Sequence, residues 1–225
     1  MSATIRSKFL RDNGLSIALF LLFFFCLLGQ SVAGYRHHNN GQKDHGQAEV
    51  AYFEYLKSAE FVESVFENWE SEFLQMAVYV FLTSCLYQRG SAESKDPDKI
   101  QDVDEDPRKH AGDPDAPAPV RSGGLRLKIY QNSLSLALLS IFIVSFGLHF
   151  WGSAKASCNE ERLHGLPCES VLSYLGNATF WFESFQNWQS EFLSIAAVVV
   201  LSIFLRQKGS PESKPVHAPH ASTGK

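Results

Sequence analysis

The stretch Glu67-Asn68-Trp69-Glu70-Ser71-Glu72-Phe73-Leu74 returns 119 residues later as Gln186-Asn187-Trp188-Gln189-Ser190-Glu191-Phe192-Leu193, with six of the eight positions identical. The same offset, without a gap, lays Asn13 on Asn132, His45-Gly46 on His164-Gly165, and Gly90-Ser91-Ala92-Glu93-Ser94-Lys95 on Gly209-Ser210-Pro211-Glu212-Ser213-Lys214. A fixed period held at so many separate points marks a tandem duplication of a whole supersecondary unit, far longer than a solenoid repeat.

Outward from the repeated motif, the chain alternates between long uncharged runs and polar tracts. No charge occurs from Asn13 to Tyr35, which as helix is about 34 Å long and spans a hydrocarbon core of roughly 30 Å. Ser31-Val32-Ala33 before Gly34 also fits a signal-peptide cleavage site. The duplication decides for a retained helix, because the equivalent run from Ile129 to Ala154 sits mid-chain. Both runs open with small residues four apart, Gly14 and Ala18 in one and Ser133 and Ala137 in the other, a spacing that permits close helix approach in lipid. The second apolar run of each copy is shorter: Phe73 to Gln88 is only about 24 Å as helix. Extending it back through the motif supplies the missing length and places Trp69 and Trp188 at the outer interface, where indole rings prefer to lie. Val62, Val65, Phe66, Trp69, Phe73 and Met76 follow three-and-four spacing, so this extension is amphipathic, and Trp181, Phe185, Trp188, Phe192 and Ile195 repeat it.

These periodicities predict an all-α membrane protein: four transmembrane helices as two tandem parallel two-helix repeats, with amphipathic interfacial extensions and a disordered linker. The first membrane repeat occupies 1–90, with helices over about 13–35 and 61–88, and the second occupies 125–209, with helices over about 129–153 and 180–207. Between them 91–124 carries five prolines (97, 107, 114, 117 and 119) and many acids, and reads as a disordered cytoplasmic linker; 210–225 reads as a disordered tail. Fifteen of the twenty Lys and Arg residues fall on the side of the termini and linker, with Arg6, Lys8, Arg11, Arg89, Arg121, Arg126, Lys128, Arg206 and Lys208 flanking the membrane. The positive-inside rule makes that side cytoplasmic, so both termini are expected inside a cell inner (plasma) membrane crossed several times.

The segments from Tyr35 to about Glu60 and from Ala154 to about Thr179 read as outer loops. His37, His38, His45 and Glu49 lie in the first, but no standard ligand spacing is met, so no metal site is expected, and the shared His-Gly is read as turn chemistry. Cys158 and Cys168 occupy the second loop and are expected to form a disulfide in an oxidising compartment. Cys26 and Cys85 lie in apolar runs as small hydrophobes.

Glu60, Glu63, Glu67 and Glu70 share the helix face opposite Trp69 and are replaced in the second copy by Thr179, Phe182, Gln186 and Gln189; such an unshared stripe reads as a solvated face. Glu72 and Glu191 are kept in both copies on the packing face, each four residues after an asparagine, Asn68 and Asn187, to which it can hydrogen-bond. A carboxylate near the bilayer boundary is costly unless paired or watered. Asn68, Trp69, Glu72, Asn187, Trp188 and Glu191 are therefore the candidate functional residues, alongside a reading in which the two carboxylates only snorkel to the interface.

The words ENWESEFLQ, FLRDNGLS and QRGSAESK, at Glu67–Gln75, Phe9–Ser16 and Gln88–Lys95, resemble an uncharacterised bacterial integral-membrane family, a domain of unknown function. That resemblance implies a bacterial inner-membrane protein and brings no activity, cofactor or site residues. Two function classes fit the sequence. The first is a membrane-organising or interaction protein, whose partners are the bilayer and other membrane proteins, copies of itself included. The alternative is a small proton- or cation-coupled transporter or channel with Glu72 and Glu191 at the repeat interface. No nucleophile and base pair stands out, so no catalytic residue and no enzyme activity are expected. The mild net charge of -4 argues against a nucleic-acid partner.

Overall fold

The structure, a computed structural model, describes residues 2–224, with side chains from Lys8 onward; Arg6, counted above in the basic flank, lies outside the described side chains. Among the described residues there is no strand. The helices are α1 Ser2–Asp44, α2 Tyr52–Tyr55, α3 Ala59–Cys85, α4 Ala118–Ser122, α5 Gly124–Gln131, α6 Ser133–Leu163 and α7 Ala178–Phe204. Three of them, α1 over Lys8–Asp44, α6 and α7, are long and apolar enough to cross a membrane, with mean hydropathies of 2.3, 2.0 and 1.4 over their most apolar windows. The helix α3 has the same 27 residues as α7 and starts and stops at the equivalent positions, but its first half carries the glutamates of the repeated motif.

The polar stretch after Tyr35, expected to be loop, continues α1 for nine more residues. Nothing in it forbids a helix: it lacks proline, and its polar side chains are served on a helix as readily as in a loop, His37 and Asn40 by solvent and Asn39 by the Val50 backbone. The helix stops at a Schellman motif, with Gly46 at φ 67°, its N–H on the Lys43 carbonyl and the Gln47 N–H on that of Gln42. In α6 the same pattern recurs: Gly165 has φ 73°, its N–H meets Arg162, and Leu166 meets Glu161. His-Gly is thus a C-cap in both copies. The expected helix beginning near 129 is two helices instead, α5 and α6, parted at Asn132, which leaves the helical region with φ -111° while its side chain donates back to the Lys128 carbonyl.

By its contacts the chain divides into two units. The first comprises the residues up to Ser64 together with Trp151–Ser170. Here Tyr55, 2% exposed, lies against Gly34, where any Cβ would stand 2.1 Å from the phenol oxygen. The Asn39 amide holds Val50 by both its N–H and its carbonyl, and Gln30 Nε2 donates to the carbonyl and hydroxyl of Ser64. Gly152 lets α6 touch the start of α3: a Cβ there would be 2.8 Å from the Glu63 nitrogen and 3.0 Å from the Ala59 oxygen. Cys158 and Cys168 are joined by a disulfide, and Cys26 and Cys85 are free. The rings of His45 and His164, the two C-cap histidines, lie 5.9 Å apart.

The second unit comprises Val65–Phe150 and the residues from Val171 onward. After α3 and α7 the repeated Gly-Ser-x-Glu-Ser-Lys words make the same turn: Ser94 Oγ accepts from Gln88 N and Ser213 Oγ from Gln207 N, while Ser91 and Ser210 accept from Glu93 and Glu212. The two lysines that end these words then diverge. Lys95 meets Asp104 and the Ser84 carbonyl, whereas the Lys214 ammonium, 1% exposed, donates to the carbonyls of Gly90, His220 and Ser222. Within 91–124 the structure places 3-10 turns at Asp102–Asp104 and Pro107–His110. Arg108 there holds the Asp106 carboxyl down at about 2.

Candidate functional site

The most completely buried polar side chains of the second unit's helices meet at one place. Glu70 on α3 and His149 on α6 are each 0% exposed, and His149 Nδ1 is 2.7 Å from Glu70 Oε2. The other carboxylate oxygen, Oε1, accepts from Trp188 Nε1 at 2.9 Å. An indole nitrogen can only donate, so Glu70 accepts here, while its other oxygen faces the imidazole nitrogen. One turn earlier on α3, Glu67 Oε1 accepts from Asn187 Nδ2 at 2.6 Å, and further along the same helix Gln75 Nε2 donates to the Glu191 carbonyl at 2.6 Å and to Ser194 Oγ at 2.9 Å. The α3–α7 seam is therefore a ladder of polar contacts, with Glu70 at its centre.

Aromatic rings close this pair off from water. Phe180, 0% exposed, packs its ring 5.0 Å from that of His149 and between 5.4 and 5.6 Å from Phe146, Phe150 and Trp181. In such surroundings an unpaired carboxylate is very costly, and each donor to Glu70 is correspondingly valuable.

The residues singled out from the sequence fall in several places. Trp188 and Asn187 belong to the ladder. Glu191 is half-buried and enters the ladder through its backbone carbonyl, while Glu72 and Asn68 are exposed. Trp69 lies in the aromatic stripe of α3, its ring 5.2 Å from Phe66 and 6.5 Å from Phe73, as the Trp188 ring lies 5.3 Å from Phe185 on α7. The acidic stripe is not a solvated face. Glu70 is fully buried, Glu67 accepts from Asn187, and Glu60 pairs with His38. The stripe's partners in the ladder, Asn187 and Trp188, come from the second copy. His149 was the residue to notice, being the only Asp, Glu, Lys, Arg or His between Lys128 and Lys155.

A family model described as a domain of unknown function (DUF6766) matches residues 6–225. The chain belongs to this family. No curated protein and no solved structure matches it. The DUF6766 match runs through the motif and through 91–124 and the residues after 209 alike. It adds no activity, and the chemistry of this DUF6766 chain rests on its own side chains.

Proposed function

We propose that the chain is a bacterial inner-membrane protein with four transmembrane helices arranged as two parallel repeats and both termini cytoplasmic, acting as a membrane-organising or interaction protein and not as an enzyme. The observation that carries this reading is the lack of cover on the apolar helices. Over their most apolar windows α1, α6 and α7 are buried to only 6%, 11% and 0% within the chain. Phe20, Leu21, Phe25, Phe182 and Leu193 are each more than half exposed. Surfaces of that kind face lipid or other proteins. The equal limits of α3 and α7 support a fourth span, its acids compensated by the ladder that Glu67 and Glu70 make.

Topology is tested by reporter fusions after Gly46, Asp106 and Gly165, which are expected to read outside, inside and outside. The function reading is tested in two arms. Photo-crosslinking residues at positions 21 and 182 in native membranes are expected to trap another copy or a distinct membrane protein. Reconstituted vesicles are expected to show no proton or cation flux. Flux that changes when Glu72 and Glu191 are both replaced by Gln would instead establish the coupled-transporter alternative.

A further inference from the structure

The Glu70–His149 pair leaves a neighbour whose chemistry it does not satisfy. Glu183, six residues into α7, has a carboxylate oxygen within 4.8 Å of a ring nitrogen of His149. The Oε2 atom of Glu183 is shielded from solvent and has no hydrogen-bond partner. A buried carboxylate oxygen in that condition marks the place of an ion, a proton or a water.

We propose that His149 and Glu183 are ligands of a divalent transition metal of the zinc class, and that Glu70 is the positioning residue that orients the imidazole. Glu70 takes the Nδ1–H of His149, which fixes the tautomer and leaves Nε2 as the metal donor. This carboxylate–histidine arrangement behind a metal ligand raises imidazole basicity and holds the ring in place. An imidazole nitrogen with a carboxylate oxygen suits zinc and its first-row neighbours.

The other copy supplies an independent comparison. The positions equivalent to His149 and Glu183 are Gln30 and Ser64. There the same two sites touch as a neutral pair, Gln30 Nε2 donating to Ser64 Oγ at 3.3 Å and to its carbonyl at 3.0 Å. A fold that holds these positions together with an amide and a hydroxyl does not need a histidine and a carboxylate for packing. Where the first copy has a hydrogen bond the second has a donor set, and Glu70 is buried against its imidazole. The inference stands apart from the interaction reading above, since it concerns what the chain binds and not what it assembles with.

The test uses full-length protein in nanodiscs, purified by an affinity tag without histidine, stripped with a chelator and titrated with Co²⁺ and then Zn²⁺. Binding of one Co²⁺ per chain with visible d–d absorption, displaced by Zn²⁺, is expected. The double variant His149→Gln with Glu183→Ser installs the first copy's own pair and should keep the fold while losing the band. Glu183→Gln, nearly isosteric, gives the same reading if the double variant is not monodisperse. Glu70→Gln should bind at least roughly tenfold more weakly, as loss of an outer-shell partner does. Wild type that binds no Co²⁺ overturns the proposal in favour of an imidazolium bridging two carboxylates. Equal binding by the double variant overturns it in favour of the histidines at the end of α1, His37 and His38 among them.

Discussion

Glu70 faces two donors inside a closed-off site, so its removal is expected to cost more than its own contacts. Glu70→Ala leaves the His149 imidazole and the Trp188 indole unsatisfied in a dry site and should destabilise the protein by roughly 3–5 kcal/mol, read by thermal unfolding in detergent. Gln189→Ala, at the equivalent but exposed position, should be close to neutral. The glycines of α6 divide in the same manner. Gly152→Leu drives a side chain into the Ala59–Glu63 backbone and should cost about 1–3 kcal/mol or part the two helices, whereas Gly147→Ala, with nothing within 4 Å, should be neutral or slightly stabilising. Tyr55 gives a pH dependence. Burial, and then the charge of Glu60, raise its phenol above the ordinary 10.0. The neutral phenol is thus favoured in the folded state, and its contribution is intact below about pH 10 and lost as the pH climbs through the raised value. Tyr55→Phe should flatten the alkaline limb of a stability–pH curve.

The turns after α3 and α7 show how far the repeated words determine elements. Each ties its first backbone N–H to a serine six residues on, so Ser94→Ala and Ser213→Ala should each cost about 0.5–1.5 kcal/mol, seen as earlier proteolysis after Arg89 or Lys208. Such local chemistry is legible in a sequence. The His-Gly caps, the equal lengths of α3 and α7 and the apolar spans could all be read from composition and period. Three things could not. The run of α1 beyond Tyr35 is one, because polar residues do not by themselves end a helix. The partners of the acidic stripe are another, since Glu70 meets His149 from 79 residues away, and helix-face arithmetic describes a face without saying what covers it. The third is the difference between Glu72 and Glu191, equal in sequence but exposed in one case and half-buried in the other.

For the molecule as a whole, the disulfide is a check on sidedness. Alkylation of native protein without reductant should label only Cys26 and Cys85, and with reductant after unfolding all four cysteines; four labelled thiols at the outset would place Cys158 and Cys168 in a reducing compartment. The two copies, alike in helix limits, caps and turns, are unlike at the centre of the seam, where the first contributes the carboxylate and the second contributes the imidazole and the indole that receive it. That asymmetry gives the duplication a direction. A protein made of two identical first halves would set Gln30 where Glu70 requires His149, and one made of two second halves would hold His149 with no acid beside it but Glu183. Neither half can stand in for the other at this seam, so the chain cut in two and expressed as either half alone would leave one side of it without its counterpart.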